Sequence, residues 1–242
     1  MKRIALMFVV LPLALAACSG TESRVAHQLT PTASVRQAAN KTTAATSAHV
    51  TFNASGSFGG ENESFTGSGD FDNANHRGSF HVDVPEYGSV DLIFDGDTAY
   101  LNAPFLKVFL PAGKTWLKLD GKARSSALPK SLPQNPNQAL ARLKKLANVR
   151  KVGEETIDGV TTTHYHGVGR LDHGTFDVWI GNDDGYVRRV RAGAKGDKAN
   201  GSAVVTLSDF GKPVSVTAPP AGETADASAL MGSFKSNFFK RG

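Results

Sequence analysis

The sequence has a single cysteine and no strong excess of either charge, and both shortages exclude classes of protein. With one cysteine, Cys18, in 242 residues, the chain can form neither an internal disulfide framework nor a cysteine-based structural zinc site. Lysine and arginine number 27 against 22 aspartate and glutamate residues, so the formal charge is only +5. We therefore expect no nucleic-acid partner. The hydrophobic share of 40% is ordinary for a chain that folds.

Long apolar runs are also scarce, and the one notable run lies at the N-terminus. Lys2 and Arg3 precede apolar residues from position 4 to 14, and small residues follow at 16 and 17. This pattern predicts a signal peptide over residues 1–17, and the run is too short to span a bilayer as a mature helix. Its removal leaves 25 basic against 22 acidic residues, a charge of +3.

The residues Leu15-Ala16-Ala17-Cys18 resemble the lipobox of bacterial lipoproteins. The resemblance implies cleavage before Cys18, a diacylglycerol on its thiol, and a position at the extracytoplasmic face of the cell membrane. An ordinary secretory signal with a chance cysteine is the alternative. Two acyl chains are a sufficient anchor, since each buried methylene contributes about 0.8 kcal/mol. Residues 18–32 are polar and predict an acylated tether.

Periodicity predicts a helix, four or five strands, a second helix and then four or five further strands. Helical spacing over 33–47 gives a stripe of small apolar residues, and the second helix is expected over 136–147. Elsewhere apolar and polar residues alternate between turns rich in Gly, Asn and Asp, which is typical of antiparallel hairpins. We expect a meander of antiparallel hairpins rather than a βαβ arrangement. The predicted strands lie near 50–54, 65–71, 79–84, 90–94, 115–119, 149–155, 161–168, 176–180, 186–192 and 203–210.

Two segments leave alternatives open. Residues 104–111 form an apolar stretch bracketed by prolines, which fits either a flap at a cavity mouth or a buried edge strand. In the tail, residues 224–242, Leu230, Phe234 and Phe238 recur at helical spacing near lysines. The tail could be an amphipathic helix at a lipid surface, a third cover of the domain, or disordered.

Motifs of enzymes and metal sites are missing. The sequence has no Gly-x-Ser-x-Gly, no phosphate-binding loop and no His-Glu-x-x-His. His164 and His166 would share one strand face near His173 and could bind zinc, although solvated strand histidines are commoner. Asp95-Gly96-Asp97 and residues 182–185 resemble pieces of a calcium loop but are predicted to be hairpin turns. We expect no enzyme, no metal and no cofactor.

Several segments together resemble the actinobacterial lipoproteins of the LppX, LprA, LprF and LprG group, relatives of the LolA and LolB lipoprotein carriers. They are the lipobox, His49-Val50-Thr51-Phe52, residues 115–119, 146–153 and 157–165, Asp177-Val178-Trp179-Ile180 with 187–190, and 207–214 leading to Pro219-Pro220. The resemblance, which spans about residues 33–223, implies one α+β domain in which a single curved antiparallel sheet of roughly ten strands forms an open half-barrel. It also implies helices across the concave face and, between them, an apolar cavity that holds acyl chains.

The predicted helices support such a cavity. They are few and small for so large a sheet, and native interiors leave few voids, so a thinly filled gap either collapses or holds a ligand. Plain core packing is the alternative for each lining residue. The predicted lining is Val35, Ala38, Leu92, Phe94, Leu101, Phe105, Leu106, Phe109, Leu140 and Leu143.

The resulting hypothesis is a membrane-anchored envelope lipoprotein that binds an acylated lipid or glycolipid for carriage or presentation. The alternative is a sensor that recognises a signalling protein or lipoprotein with the same half-barrel. We expect a monomer whose partners are an acyl-chain lipid and, through Cys18, the cytoplasmic membrane.

Overall fold

The computed structural model describes residues 29–58, 61–85, 88–121, 136–169, 174–196 and 199–230. Its helices are α1 (Pro31–Thr43) and α2 (Pro136–Leu143), with short 3-10 helices at Pro104–Leu106 and Ala221–Glu223. The strands are β1 (Ser47–Phe58), β2 (Glu61–Asp72), β3 (Arg77–Val84), β4 (Gly88–Asp95), β5 (Thr98–Asn102), β6 (Trp116–Leu119), β7 (Leu146–Ile157), β8 (Val160–Gly169), β9 (Thr175–Gly181), β10 (Val187–Gly196), β11 (Ala199–Ser208) and β12 (Thr224–Asp226).

All twelve strands form one sheet, in the order β12-β6-β5-β4-β3-β2-β1-β11-β10-β9-β8-β7. Each pair is antiparallel except β12 and β6, which run parallel. The sheet is open, because its edge strands β7 and β12 do not pair with one another. Two meanders, β1–β6 and β7–β11, therefore meet where β1 pairs with β11.

Local chemistry explains where α1 begins and ends. The side chain of Thr30 accepts a hydrogen bond from Ala33 N at 3.3 Å, and Pro31 occupies the first helical position, where no backbone donor is needed. At the other end, Ala44 N donates to Asn40 O, and Ser47 already belongs to β1. The helix therefore ends at Thr43, four residues before residue 47, the end that its periodicity predicts.

The predicted architecture is confirmed, with corrections at its margins. The sheet has twelve strands rather than about ten, because β5 and β12, of five and three residues, are too short to leave a clear periodic signal. Strand β12 begins at Thr224, one residue after the predicted domain boundary at 223. Helix α2 ends at Leu143 instead of residue 147, since β7 starts at Leu146.

The segment 104–111 is not an edge strand. It starts with the 3-10 helix Pro104–Leu106 and continues as turns, so the strand interpretation is wrong. The aspartate–glycine segments are hairpin turns, as predicted: Gly96 lies between β4 and β5 with φ +60°, and Gly185 lies between β9 and β10 with φ +64°.

Candidate functional site

The apolar face of the sheet has a covered half. Helix α1 packs mainly on α2 and β7 and makes further contacts with β9 and β10. Val35, Ala38, Leu140 and Leu143 are buried there, in one core cluster with apolar residues of β1, β7 and β9–β11. In this half, the four predicted lining residues from the helices are therefore packed against protein.

The other half carries an apolar surface that we call the floor, on strands β1–β5. Cross-strand partners place its side chains on the same face as the core: Val50 pairs with Gly69, Gly69 with Phe80, and Phe80 with Leu92. All floor residues are only partly buried. The floor consists of Phe52, Phe65, Phe80, Leu92, Phe94 and Leu101.

Glycines on neighbouring strands let the floor's aromatic rings lie against the sheet. A Cβ atom at Gly67 would stand 2.5 Å from Phe52 Cζ, and one at Gly69 would stand 2.5 Å from Phe80 Cδ1. The rings also contact each other edge to face, with centroids 6.3 Å apart for Phe52 and Phe65 and 6.0 Å for Phe80 and Phe94. The result is two aromatic pairs on the apolar face of the sheet.

The predicted lining thus falls into three places. The helix residues are in the core, Leu92, Phe94 and Leu101 are in the floor, and residues 105, 106 and 109 follow β5 in an external loop. The residues Phe52, Phe65 and Phe80 are not among those predicted from the sequence to line the site. The alternation that located their strands, together with glycines on the adjacent strand, was the signal that could have identified them.

Two open depressions lie on polar surface. One, of about 400 Å³, sits on the opposite face of the sheet, beside exposed Thr51, Asn53, Ser68 and His81. The other, of about 570 Å³, lies along the ends of β1, β2 and β11 among serines, asparagines and glycines. Neither has the apolar lining that an acyl chain needs, so the floor is the better candidate.

The predicted histidine pair lies on the polar face and shares one carboxylate. His164 Nε2 is 3.0 Å and His166 Nδ1 is 2.9 Å from Asp177 Oδ1, while His164 Nδ1 is 3.0 Å from Glu155 Oε1. His164 is stacked on Trp179, with ring centroids 4.3 Å apart. Among the described residues, no group of three or more potential ligands could hold a metal ion. His173 lies outside them.

Hydrogen bonds determine the charge state of Asp177. Burial of this carboxyl raises its pKa, but the hydrogen bonds and positive charge of His166 and His164 outweigh that effect, so the pKa is lowered. Asp177 is therefore a charged acceptor at neutral pH, which joins β8 to β9 on the polar face.

Several predictions concern residues outside the described part. The signal peptide, Cys18 and most of the tether lie before residue 29, the first that the structure describes. The tail beyond Leu230 lies after the last described residue. Of the tail, residues 224–226 form β12 and 227–230 are helical. In the stretches the structure describes, no helix combines the length and the apolar character needed to cross a membrane.

Solved structures with the same fold are bacterial lipoproteins. Lipoprotein LppX of Mycobacterium tuberculosis matches with a TM-score of 0.55 and 19% identity, covering 77% of this chain and 98% of that one. LprF of Mycobacterium bovis matches with a TM-score of 0.54 and 16% identity, covering 79% and 97%. The chain therefore has the LppX and LprF fold, which confirms the predicted resemblance at the level of the fold.

Sequence comparison finds relatives in Streptomyces. Candidate lipoprotein SCO4650 of Streptomyces coelicolor is 32% identical over 130 residues, which cover 50% of this chain and 45% of that protein. The chain spans about half the length of the curated relatives it matches. No protein-family model matches it.

Proposed function

We propose that this protein is a membrane-anchored envelope lipoprotein that holds an acyl-chain lipid or glycolipid on the floor, for carriage or presentation. Its role is to bind and release, without catalysis. The protein acts as a monomer at the extracytoplasmic face of the cell membrane, attached through acylated Cys18.

One observation carries this proposal: helix α1, on which α2 packs, contacts β7, β9 and β10, whereas the floor on β1–β5 is only partly buried. The rings of Phe52 and Phe80 lie against Gly67 and Gly69, and the side chains that make up the floor carry no polar group. Such a surface suits a ligand recognised by apolar area rather than by directed hydrogen bonds.

The energetics favour a long hydrocarbon ligand. Each methylene removed from water contributes about 0.8 kcal/mol, so about ten methylenes on the floor contribute ~8 kcal/mol before the cost of immobilising the ligand. The match to LppX and LprF supports the same fold, and the lipobox supports anchoring. Both fit a protein that handles lipid beside a membrane.

Native mass spectrometry of the acylated full-length chain, purified in mild detergent, tests the proposal. We expect one additional lipid mass per chain that disappears on denaturation, whereas the covalent anchor on Cys18 survives denaturation. A chain that carries only its covalent anchor, and that also fails to take up added phospholipid or glycolipid, would overturn lipid binding. If that empty chain instead captured a protein partner, the sensor hypothesis would replace it.

A further inference from the structure

The loop between β5 and β6, residues 103–115, displays apolar side chains to solvent. Val108 is 82% exposed, Phe109 63% and Phe105 44%. Single exposed apolar residues are ordinary on a protein surface, but three large ones in one short loop indicate a contact surface. We call this segment the rim loop.

Hydrogen bonds hold the rim loop in this shape. Leu106 N donates to Ala103 O at 3.1 Å, Phe109 N donates to Leu106 O at 2.9 Å, and Ala103 at the base is fully buried. Lys114 Nζ donates to Gly222 O at 2.8 Å, which ties the loop to the segment before β12. The apolar side chains therefore project from a braced turn.

The charge of the rim loop favours an anionic partner. The rim loop and β6 together, residues 103–119, contain three lysines and no acidic residue. Three acidic residues lie near the same rim of the sheet: Glu63, Asp83 and Glu223. Three basic residues just before β7 lie there as well: Arg142, Lys144 and Lys145. Apolar side chains next to lysines fit an anionic bilayer. The acyl region accommodates the apolar side chains, and the anionic headgroups attract the lysines.

The turns at the opposite rim of the sheet carry mainly acidic side chains rather than apolar side chains and lysines. Cross-strand registers place there the turns after β2, β4, β7 and β9 and the end of β11. These turns are rich in aspartate, and arginine or lysine pairs with only some of the carboxylates. Aspartates at this rim are Asp72, Asp95, Asp97, Asp158, Asp183, Asp184 and Asp209. Arginine or lysine pairs with four of these seven aspartates, and the other three make this rim the less favourable one for an anionic bilayer.

The predicted tether is long enough to bring the domain to a membrane. Exposed Leu29 directly precedes α1, and eleven residue steps separate it from Cys18. At about 3.5 Å per residue, this tether reaches at most ~40 Å. We propose that the rim loop inserts Val108 and Phe109 into an anionic bilayer and orients the domain on it. This inference rests on the anchor in the proposed function, but it does not require bound lipid cargo.

Fluorescence depth measurements on the acylated full-length chain test the orientation. The variant Val108→Cys receives an environment-sensitive dye and is reconstituted in vesicles of phosphatidylcholine with phosphatidylglycerol. We expect a blue shift and quenching by bilayer lipids that carry a spin label. Val152→Cys is the matched control, since Val152 is another exposed valine but lies midway along β7. Its dye should stay in water.

The charge requirement gives a second readout. Adding Lys107→Gln to the labelled chain should reduce the ratio of inserted to free loop roughly fivefold, the factor expected for one lysine near an anionic surface. The proposal is overturned if the dye at position 108 is unquenched, or if positions 108 and 152 are quenched equally. Labelling of the wild-type chain would instead report a free Cys18 thiol and overturn the anchor, so the two failures are distinguishable.

Discussion

The ring of Phe80 occupies the space in which a side chain at position 69 would stand. Gly69 and Phe80 are cross-strand partners, and a Cβ at Gly69 would lie 2.5 Å from Phe80 Cδ1 and also against the Ser79 carbonyl. This pair links the covered core to the floor, because Gly69 also faces core residue Val50 on β1.

Gly69→Ala should therefore destabilise the fold by about 1–3 kcal/mol, since the added methyl meets both the ring and the backbone. Urea unfolding followed by circular dichroism measures the change. Gly153→Ala is the control, because no atom lies within 4 Å of a Cβ built there. Equal unfolding midpoints for the two variants would show that the ring over Gly69 moves away freely.

Leu92→Trp should displace bound lipid without unfolding the domain. Leu92 lies in the floor, where the indole ring of tryptophan would occupy the space proposed for an acyl chain. Ile93→Trp is the matched control, because the next residue of a strand points to the opposite face. Lipid occupancy per chain, from native mass spectrometry, should fall for the first variant only. Unchanged occupancy in Leu92→Trp would remove Leu92 from the proposed site.

Thr42→Val should cost about 1–3 kcal/mol of unfolding free energy. Thr42 is buried, and its Oγ1 accepts a hydrogen bond from Val187 N at 2.9 Å, so the variant leaves a buried backbone donor unsatisfied. This bond attaches the end of α1 to the start of β10. Thr42→Ser keeps the hydroxyl and should recover most of the loss in thermal or urea unfolding. A Thr42→Ser variant as unstable as Thr42→Val would point to lost methyl packing instead.

Asp177→Asn should weaken the fold at neutral pH and flatten part of its acid unfolding. The pKa of Asp177 is lowered in the folded state, so its contribution to stability is present above the pKa of the unfolded chain, about 3.9. That contribution is lost as the pH falls through the lower folded value. Loss of the charged acceptor for His164 and His166 should cost about 1–3 kcal/mol at pH 7.

The stability of this variant is compared with that of the wild type from pH 7 to about 2, because the contribution of Asp177 is lost only below the unfolded-state pKa of about 3.9. Asp97→Asn, an exposed residue in the turn between β4 and β5, is the matched control and should keep the wild-type acid profile. If Asp177→Asn and the wild type lost stability in parallel over this range, the histidine contacts would not be responsible for the acid sensitivity.

Alternation predicted most of the sheet because one face of each long strand is apolar. In β1 and β3, for example, Val50, Phe52, Phe80 and Val82 share a face with polar neighbours between them. Three-residue β12 contains too few positions to show a period, and its place comes from pairing with Trp116–Leu119 rather than from its own residues. Such pairing between distant segments is not visible in a local pattern.

The candidate site was harder to predict than the fold. The thin apolar stripe of the first helix predicts Val35 and Leu140 as cavity lining, and the structure places both in the buried cluster that α1 and α2 share with the sheet. The rim loop was equally ambiguous, since an apolar run between prolines fits a strand or a turn. The exposure of Val108 and Phe109 depends on backbone hydrogen bonds that the sequence does not reveal.

The seam between β1 and β11 has a consequence for biogenesis. His49 pairs with Ser208, so the central strand finds its second neighbour only after most of the polypeptide has been synthesised. Contacts between residues so far apart in the chain slow folding. Acylation of Cys18 at the start of the chain would then precede completion of the sheet, and we expect the nascent lipoprotein to be tethered before it is native.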